Sequence, residues 1–180
     1  MKLFVISDIH GSLYFLKKVI DIFEKEKYDK LLILGDELYH GPRNPLPKDY
    51  SPKEVIEILN KYKDKIIAVR GNCDSEVDQM VLSYPIMSDY SMIYLGNKRV
   101  FLTHGHIYNI DNPLPMSEGD ILLYGHFHIP MIEKKDERYF FNPGSISLPK
   151  NNSNHSFAIL DETKFQIKDL DENILMEINF

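Results

Sequence analysis

Leu3-Phe4-Val5-Ile6-Ser7-Asp8-Ile9-His10 is the stretch that decides the fold. Its unbroken apolar start fits a strand buried on both faces, as in the sheet of an α/β protein. The polar residues Asp8 and His10 follow at once. Leu13, Leu16, Val19, Ile20 and Phe23 then recur at helical spacing, with Lys17, Lys18 and Glu24 between them. The unit repeats. Leu31 to Leu34 is a second buried run, and Ser51-Pro52-Lys53-Glu54 opens a helix: serine cap, proline in the first turn, glutamate three after the cap. Val55, Ile56, Ile58, Leu59 and Tyr62 supply its apolar side. Ile66 to Val69 is a third run, and a helix after Asp74 carries Val77, Met80 and Val81.

Beyond residue 90 the pattern changes. Ser91–Leu95 and Lys98–Leu102 flank Gly96-Asn97, a hairpin in outline. Ile121–Tyr124 reads as another buried strand, Met131–Lys135 and Arg138–Asn142 as a second hairpin. Ser156–Leu160, Phe165–Lys168 and Ile174–Ile178 read as further strands. Strand–helix alternation followed by strands predicts two sheets packed face to face with helices outside. The Glu37–Tyr50 segment, with Pro42, Pro45 and Pro47, is long enough to be a functional loop.

The 180 residues suit one domain over 1–180, and 43% hydrophobic content suits a full core. A formal charge of −6 gives no basic field for long DNA or RNA, which argues against a nuclease. A small phosphorylated substrate fits, because bound cations would invert the local charge. The single cysteine, Cys73, excludes an internal disulfide and suits a reducing compartment. No stretch approaches a membrane span, and the N-terminal apolar run is too short for a signal peptide. The expected location is the cytoplasm.

Chemistry concentrates in five short signatures: Asp8-Ile9-His10, Gly35-Asp36, Gly71-Asn72-Cys73-Asp74, His104-Gly105-His106 and Gly125-His126-Phe127-His128. Each follows an apolar run, and ligand sites in open α/β sheets gather outside the carboxyl ends of strands. Asp8, His10, Asp36, Asn72, His104, His126 and His128 offer carboxylate, imidazole and amide oxygens, a set that manganese, iron or zinc accepts. Any one of these residues alone reads as a cap, a turn or a packed or surface histidine, the reading that His155 keeps; the ordered set reads as a site. His106 is read as a donor beside the site or a substrate contact. Gly35, Gly71 and Gly125 each precede a proposed ligand, where a residue without Cβ lets loops approach closely.

Together the motifs resemble the calcineurin-like metallophosphoesterase superfamily, and most closely its YfcE-like bacterial phosphodiesterase branch. His40-Gly41-Pro42-Arg43-Asn44, Val69 to Met80, Leu102 to His106 and Asn142-Pro143-Gly144-Ser145 carry the closer match. The resemblance implies a four-layer αββα sandwich of two mixed sheets, with a dinuclear metal site at the strand ends. One ion would take Asp8, His10, Asp36 and His128; the other Asp36, Asn72, His104 and His126, with Asp36 bridging. It implies hydrolysis of small phosphodiesters by in-line attack of a metal-bridging hydroxide. His10, Asp36, Asn72 and His104 would be catalytic through the metals, and His106 and Cys73 would face the substrate; Arg43 and His40, in the proline-rich loop after Asp36, read as phosphate or substrate contacts, with pairing to a surface carboxylate the competing reading of Arg43. Manganese is the expected ion, with zinc, iron and nickel as alternatives.

One position departs from much of the superfamily: Cys73 stands where many members carry a histidine that protonates the leaving group. A thiol near two dications would ionise below its free pKa of roughly 8.5 and then donate no proton; the competing reading is a small buried filler. Asp74 is read as a cap of the following helix. Two other functions remain open: a phosphomonoesterase on nucleotides or small metabolites, and a catalytically silent metal-binding scaffold like the metallophosphoesterase-like subunit of retromer. Apolar edge strands near the C-terminus are consistent with a homodimer or homotetramer.

Overall fold

Strand β1 (Leu3–Ile6) lies in the middle of a six-stranded sheet, and all of its residues are buried. In the computed structural model, which describes residues 1–180, β1 pairs in parallel with β2 (Lys30–Ile33), and β2 with β3 (Ile66–Ala68). On its other side β1 runs antiparallel to β9 (Ser156–Leu160), followed outward by β10 (Lys164–Asp169) and β11 (Ile174–Asn179). The crossovers are helices α1 (Leu13–Lys25) and α2 (Pro52–Lys61). The second sheet has the order β4 (Tyr90–Leu95), β5 (Lys98–Thr103), β6 (Ile121–Leu123), β8 (Arg138–Pro143), β7 (Pro130–Lys135). Its inner pairs β5–β6 and β6–β8 are parallel and its outer pairs antiparallel. Both sheets are therefore mixed, as expected.

The period-two alternation of the strands assigns each side chain to a layer. Leu3 and Val5 point between the sheets, where they meet Leu32, Leu102, Leu123, Phe141 and Phe165. Phe4 and Ile6 point outward into the helix layer with Leu16, Val19, Phe23, Val55 and Leu59. At roughly 25 cal/mol per Å² of apolar surface removed from water, these two clusters are the main driving force of the fold.

The fourth layer is irregular. Phe101, Leu122 and Phe140 on the outer face of the second sheet are covered by Leu114, Tyr108, Ile110 and Met116. These come from the 105–119 segment, which contains no helix. Its Asn, Asp, Gly and Pro content favours turns over a helix. The helix after Asp74 is a short one, α3 (Glu76–Val81). Its apolar residues Val77, Met80 and Val81 are exposed.

The hairpins differ in turn chemistry. Gly96 alone takes positive φ between β4 and β5, whereas Asp136 and Glu137 both do between β7 and β8, the two patterns that match strand twist. No helix is long and apolar enough to cross a membrane.

Candidate metal centre

The loops after β1, β2, β3, β5 and β6 meet at one end of the sandwich and are knitted by main-chain bonds. The amide of Asp8 donates to the Gly35 carbonyl (3.2 Å), His10 to Asp36 (2.9 Å) and Gly125 to His104 (2.8 Å). Asp8, His10, Asp36, His126 and His128 all adopt left-handed backbone, with φ between 51° and 66°. Non-glycine residues seldom do so, and when they do they concentrate at functional sites. Here the left-handed step turns each side chain off the end of its strand.

The side chains converge. His128 Nε2 lies 3.2 Å from Asp8 Oδ1, and His10 Nε2 lies 3.7 Å from Asp8 Oδ1 and from Asp36 Oδ2. His104 Nε2 lies 3.4 Å from Asp36 Oδ2 and 3.1 Å from the Asn72 amide oxygen. Asp8, His10 and His128 form one group able to hold a cation, and Asp8, Asp36 and His104 another, with ligand atoms mutually within 4.8 Å. Cys73 joins His10 and Asp36 in a third. His126 reaches the centre from the exposed side, its ring 5.1 Å from that of His104.

The outer contacts set the tautomers. The Nδ1 atoms of His10, His104 and His128 face the carbonyls of Tyr39 (2.8 Å), Leu34 (2.6 Å) and Leu148 (2.5 Å). A carbonyl only accepts, so Nδ1 carries hydrogen, and in the neutral imidazole Nε2 is the atom that presents its lone pair inward, the arrangement typical of metal-binding histidine. Asp8 shows the same preparation. Its Oδ2 accepts from Ser7 Oγ (2.6 Å) and the His126 amide (3.1 Å), while its fully buried Oδ1 has no hydrogen-bond partner. A buried carboxylate oxygen without a donor is costly, and a cation between Asp8, His10 and His128 would remove that cost. The donor set thus fits divalent ions.

Electrostatics follow from the crowding. Burial would raise the Asp8 carboxyl, but the neighbouring imidazoles of His10, His128 and His104 outweigh it and hold Asp8 well below the usual carboxylate range. Burial lowers His104, but the carboxylates of Asp36 and Asp8 push it up to about 9. Burial and the charge of His104 press His126 down to about 4. The Cys73 thiol is pushed up to about 12, by burial first and then by Asp36 and Asp74. These groups act on the thiol without metal, whereas the ionised thiol read from sequence is one beside two bound dications.

Asp74 does not cap α3. Ser75 occupies the cap position, its amide and hydroxyl both donating to Asp78. Asp74 instead turns inward, 4% exposed, where Oδ2 accepts from the amides of Asp36 (2.9 Å) and Gly71 (2.7 Å) and Oδ1 from Glu37 (2.9 Å). It joins the Asp36 loop to the Asn72 loop. The Asn-Pro-Gly-Ser segment braces its neighbours in the same way. Asn142 Nδ2 donates to the Gly125 carbonyl (2.7 Å), and the Ser145 and Ser147 hydroxyls both donate to the Asp8 carbonyl (2.9 and 2.8 Å).

The glycines before the ligands are close-approach positions. A Cβ on Gly71 would stand 2.8 Å from the Asp36 carboxyl carbon and closer still to its Oδ1; one on Gly35 would stand 2.5 Å from the Gly71 amide nitrogen and 2.9 Å from His104 Nδ1. Gly71→Ala is therefore expected to displace Asp36. It should cost about 1–3 kcal/mol from overpacking and lower turnover far more than stability. Urea unfolding beside a rate assay checks this, and an alanine variant with wild-type turnover refutes the close approach.

Of the other residues that stand out in the sequence, Arg43 and Cys73 line the cavity of about 480 Å³ that opens from this centre, together with Asp36, Asn72, His126 and His128. His40 does not; its ring packs edge-on to Tyr50, 5.4 Å between centroids. His106 stands 5.3 Å from the His104 ring, outside the cavity lining. His155 is packed on Phe15 (4.0 Å), as read from sequence. Phe127 and Lys150 also line the cavity, and sequence reasoning missed both. An aromatic between two ligand-type histidines was a usable signal for Phe127; nothing local marks Lys150.

Residues 1–164 match the Calcineurin-like phosphoesterase superfamily domain. The chain is 45% identical to phosphodiesterase YfcE of Escherichia coli K12 over 179 residues, 99% of this chain and 97% of that protein. The solved structure of YfcE, described as an E. coli phosphoesterase, superposes with a TM-score of 0.97 over 99% of this chain and 98% of its own. YsnB of Bacillus subtilis, a probable metallophosphoesterase, is 28% identical over 89% of this chain and 83% of its own length. Vacuolar Protein Sorting 29 of Cryptosporidium parvum shares the fold alone, at 20% identity and a TM-score of 0.67 over 99% of this chain and 97% of its own.

Proposed function

The chain belongs to the calcineurin-like phosphoesterase superfamily and to its YfcE-like branch, and we propose that residues 1–180 form a single-domain, metal-dependent phosphodiesterase acting on small phosphodiesters. The observation that carries the reading is the buried, partnerless Asp8 Oδ1 facing imidazole nitrogens whose tautomers are already fixed. Asp8, His10, Asp36 and His128 would hold one divalent ion, and Asp36, Asn72, His104 and His126 a second. We take manganese as the ion, with zinc, iron or nickel accepted by the same donors. Divalent ions in such a site supply Lewis acidity toward water and toward the phosphoryl group.

The chain's own groups define the rest. Asp36 is shared by both ligand sets and is held in place by the Cys73 amide, which donates to its Oδ1 (2.8 Å). Arg43 faces the cavity without a carboxylate partner and is free to meet phosphoryl oxygens. Cys73 stands where many members of the superfamily carry a protonating histidine, and a thiol is a poor substitute: without metal it is pushed up to about 12, and bound dications would ionise it. Protonation of the departing oxygen is therefore weak, and esters of acidic alcohols are preferred over alkyl esters, since general acid catalysis contributes about 10²–10⁴-fold.

Hydrolysis of bis-p-nitrophenyl phosphate by metal-stripped protein with manganese restored tests the reading. Manganese-dependent turnover supports it; two bound ions per chain with no turnover on any phosphoester returns the protein to the scaffold function. The rim cations Arg43 and Lys150 favour a phosphomonoesterase as second reading, since a monoester carries more charge; p-nitrophenyl phosphate turned over faster than the diester would establish it. The unpaired Cys73 supports a cytoplasmic site. Exposed Ile174, Leu175 and Met176 on edge strand β11 support a homodimer or homotetramer, which sedimentation resolves.

Metal affinity should depend on pH with a definite sign. His104 binds a proton up to about 9, and a ligating Nε2 must be proton-free. Ion uptake therefore releases that proton. Affinity rises as pH rises, up to roughly tenfold per unit from this group, and levels off above about 9. Manganese titrations at several pH values check this; a flat profile means that His104 is already neutral.

A further inference from the structure

The mouth of the cleft carries two side chains that metal binding does not use. Phe127 is 42% exposed and lines the cavity. The part of a phenyl ring left open to water gains nothing for the fold. Its position is nonetheless fixed. The residues on either side, His126 and His128, are in left-handed backbone at φ 66° and 60°. Its amide donates to the Gly125 carbonyl (2.7 Å). Its ring stands nearly perpendicular to those of Tyr124 (85°, 6.0 Å) and His126 (75°, 5.3 Å). An aromatic held this way offers a ready stacking surface at low entropic cost.

Lys150 is pinned just as closely. Its amide donates to the His128 carbonyl (3.1 Å), and Ser153 closes the turn by donating from its amide (3.0 Å) and its hydroxyl (2.7 Å) to the Lys150 carbonyl. The main chain thus ties the lysine to the residue after Phe127. The residue lines the cavity and its ammonium makes no ion pair, in a protein of formal charge −6. An unpaired cation in a cleft draws anions to it.

We propose that Phe127 and Lys150 form a specificity subsite that selects phosphodiesters whose retained ester group, the one that stays on phosphorus, carries a planar aromatic, such as an aryl ring or the base of a nucleoside. Phe127 stacks on that ring, and Lys150 meets the anionic phosphoryl oxygens beside it. The inference rests on the phosphodiesterase reading and extends it to the substrate class.

Two esters with the same leaving group isolate the effect: bis-p-nitrophenyl phosphate retains an aryl group, methyl p-nitrophenyl phosphate retains a methyl. Phe127→Ala is expected to lower kcat/KM on the first roughly two- to tenfold, through KM, and to leave the second within twofold. Phe127→Tyr restores the preference, whereas Phe127→Leu, which keeps apolar bulk without a ring, does not. Lys150→Met raises KM on both esters alike. Competition binding of diphenyl phosphate to the manganese-loaded protein should weaken by the same factor in Phe127→Ala. Equal falls on both esters, an unchanged ratio, or full rescue by leucine overturns the subsite. Wild-type protein that binds diphenyl phosphate through Phe127 yet hydrolyses neither ester overturns the phosphodiesterase reading instead.

Discussion

Asp36→Asn is expected to lower turnover of bis-p-nitrophenyl phosphate by more than about 10²-fold, since even partners outside the ligand shell change metal affinity or activity by 10–100-fold. Asp36 has more at stake than such partners. Its Oδ2 faces His10 Nε2 at 3.7 Å and His104 Nε2 at 3.4 Å, and its Oδ1 accepts from the Cys73 amide. Asparagine keeps the shape and one acceptor oxygen. It removes the charge, and its NH₂ must face either the Cys73 amide or the imidazoles. A second readout is independent of turnover. Asp36 is the leading charge that raises His104 to about 9. In metal-stripped Asp36→Asn the His104 imidazole should titrate at lower pH, which NMR can follow. Full activity with an unmoved His104 titration would end the assignment of Asp36 as the shared ligand.

The layers of the fold were legible because their signal is local. An unbroken run such as Leu3 to Ile6 can only be buried on both faces, and the structure buries Leu3 and Val5 on one side and Phe4 and Ile6 on the other. Helix α1 was equally plain, since Leu13, Leu16, Val19, Ile20 and Phe23 repeat at 3.6-residue spacing and are all buried. The irregular outer layer was not legible. Leu114, Tyr108 and Ile110 carry no period, and only their contact with Phe101, Leu122 and Phe140 makes them a layer.

The candidate centre divides in the same way. Residues that follow strands can be ranked from sequence because strand ends share one location in space. Contacts made across the fold cannot. The tautomer of His128 depends on the carbonyl of Leu148, and the placement of Lys150 depends on the carbonyl of His128. Both are pairings of tertiary structure, invisible to local pattern. Gly71 stands out by its place before Asn72, but its reason, the space taken by the Asp36 carboxylate, belongs to another loop. Asp74 escapes a local reading for a related cause. Before a helix an aspartate most often caps it, and nothing local says that two amides from the β2 loop will join one from its own loop in claiming its carboxylate.

That carboxylate gives the largest expected effect on stability. Asp74→Ala leaves the buried amides of Asp36, Glu37 and Gly71 without their acceptor. Each such loss costs about 1–3 kcal/mol, so the sum is about 3 kcal/mol or more, against a total stability of about 5–15 kcal/mol for a typical domain. Water entering the gap would recover part of it, at the expense of the spacing between Asp36 and Asn72. Asp74→Asn separates the two roles. Its carbonyl oxygen, placed where Oδ2 stands, still serves Asp36 and Gly71; its NH₂ then opposes the Glu37 amide, donor against donor. The expected order in urea midpoint is therefore wild type, then asparagine, then alanine, at constant m-value. Manganese affinity should fall in the same order, because the amides that Asp74 holds belong to the loops of both ligand sets. Alanine with the wild-type midpoint and wild-type metal affinity would mean that the loops are held without Asp74. A lowered midpoint with unchanged affinity would make it a structural residue with no part in positioning the centre.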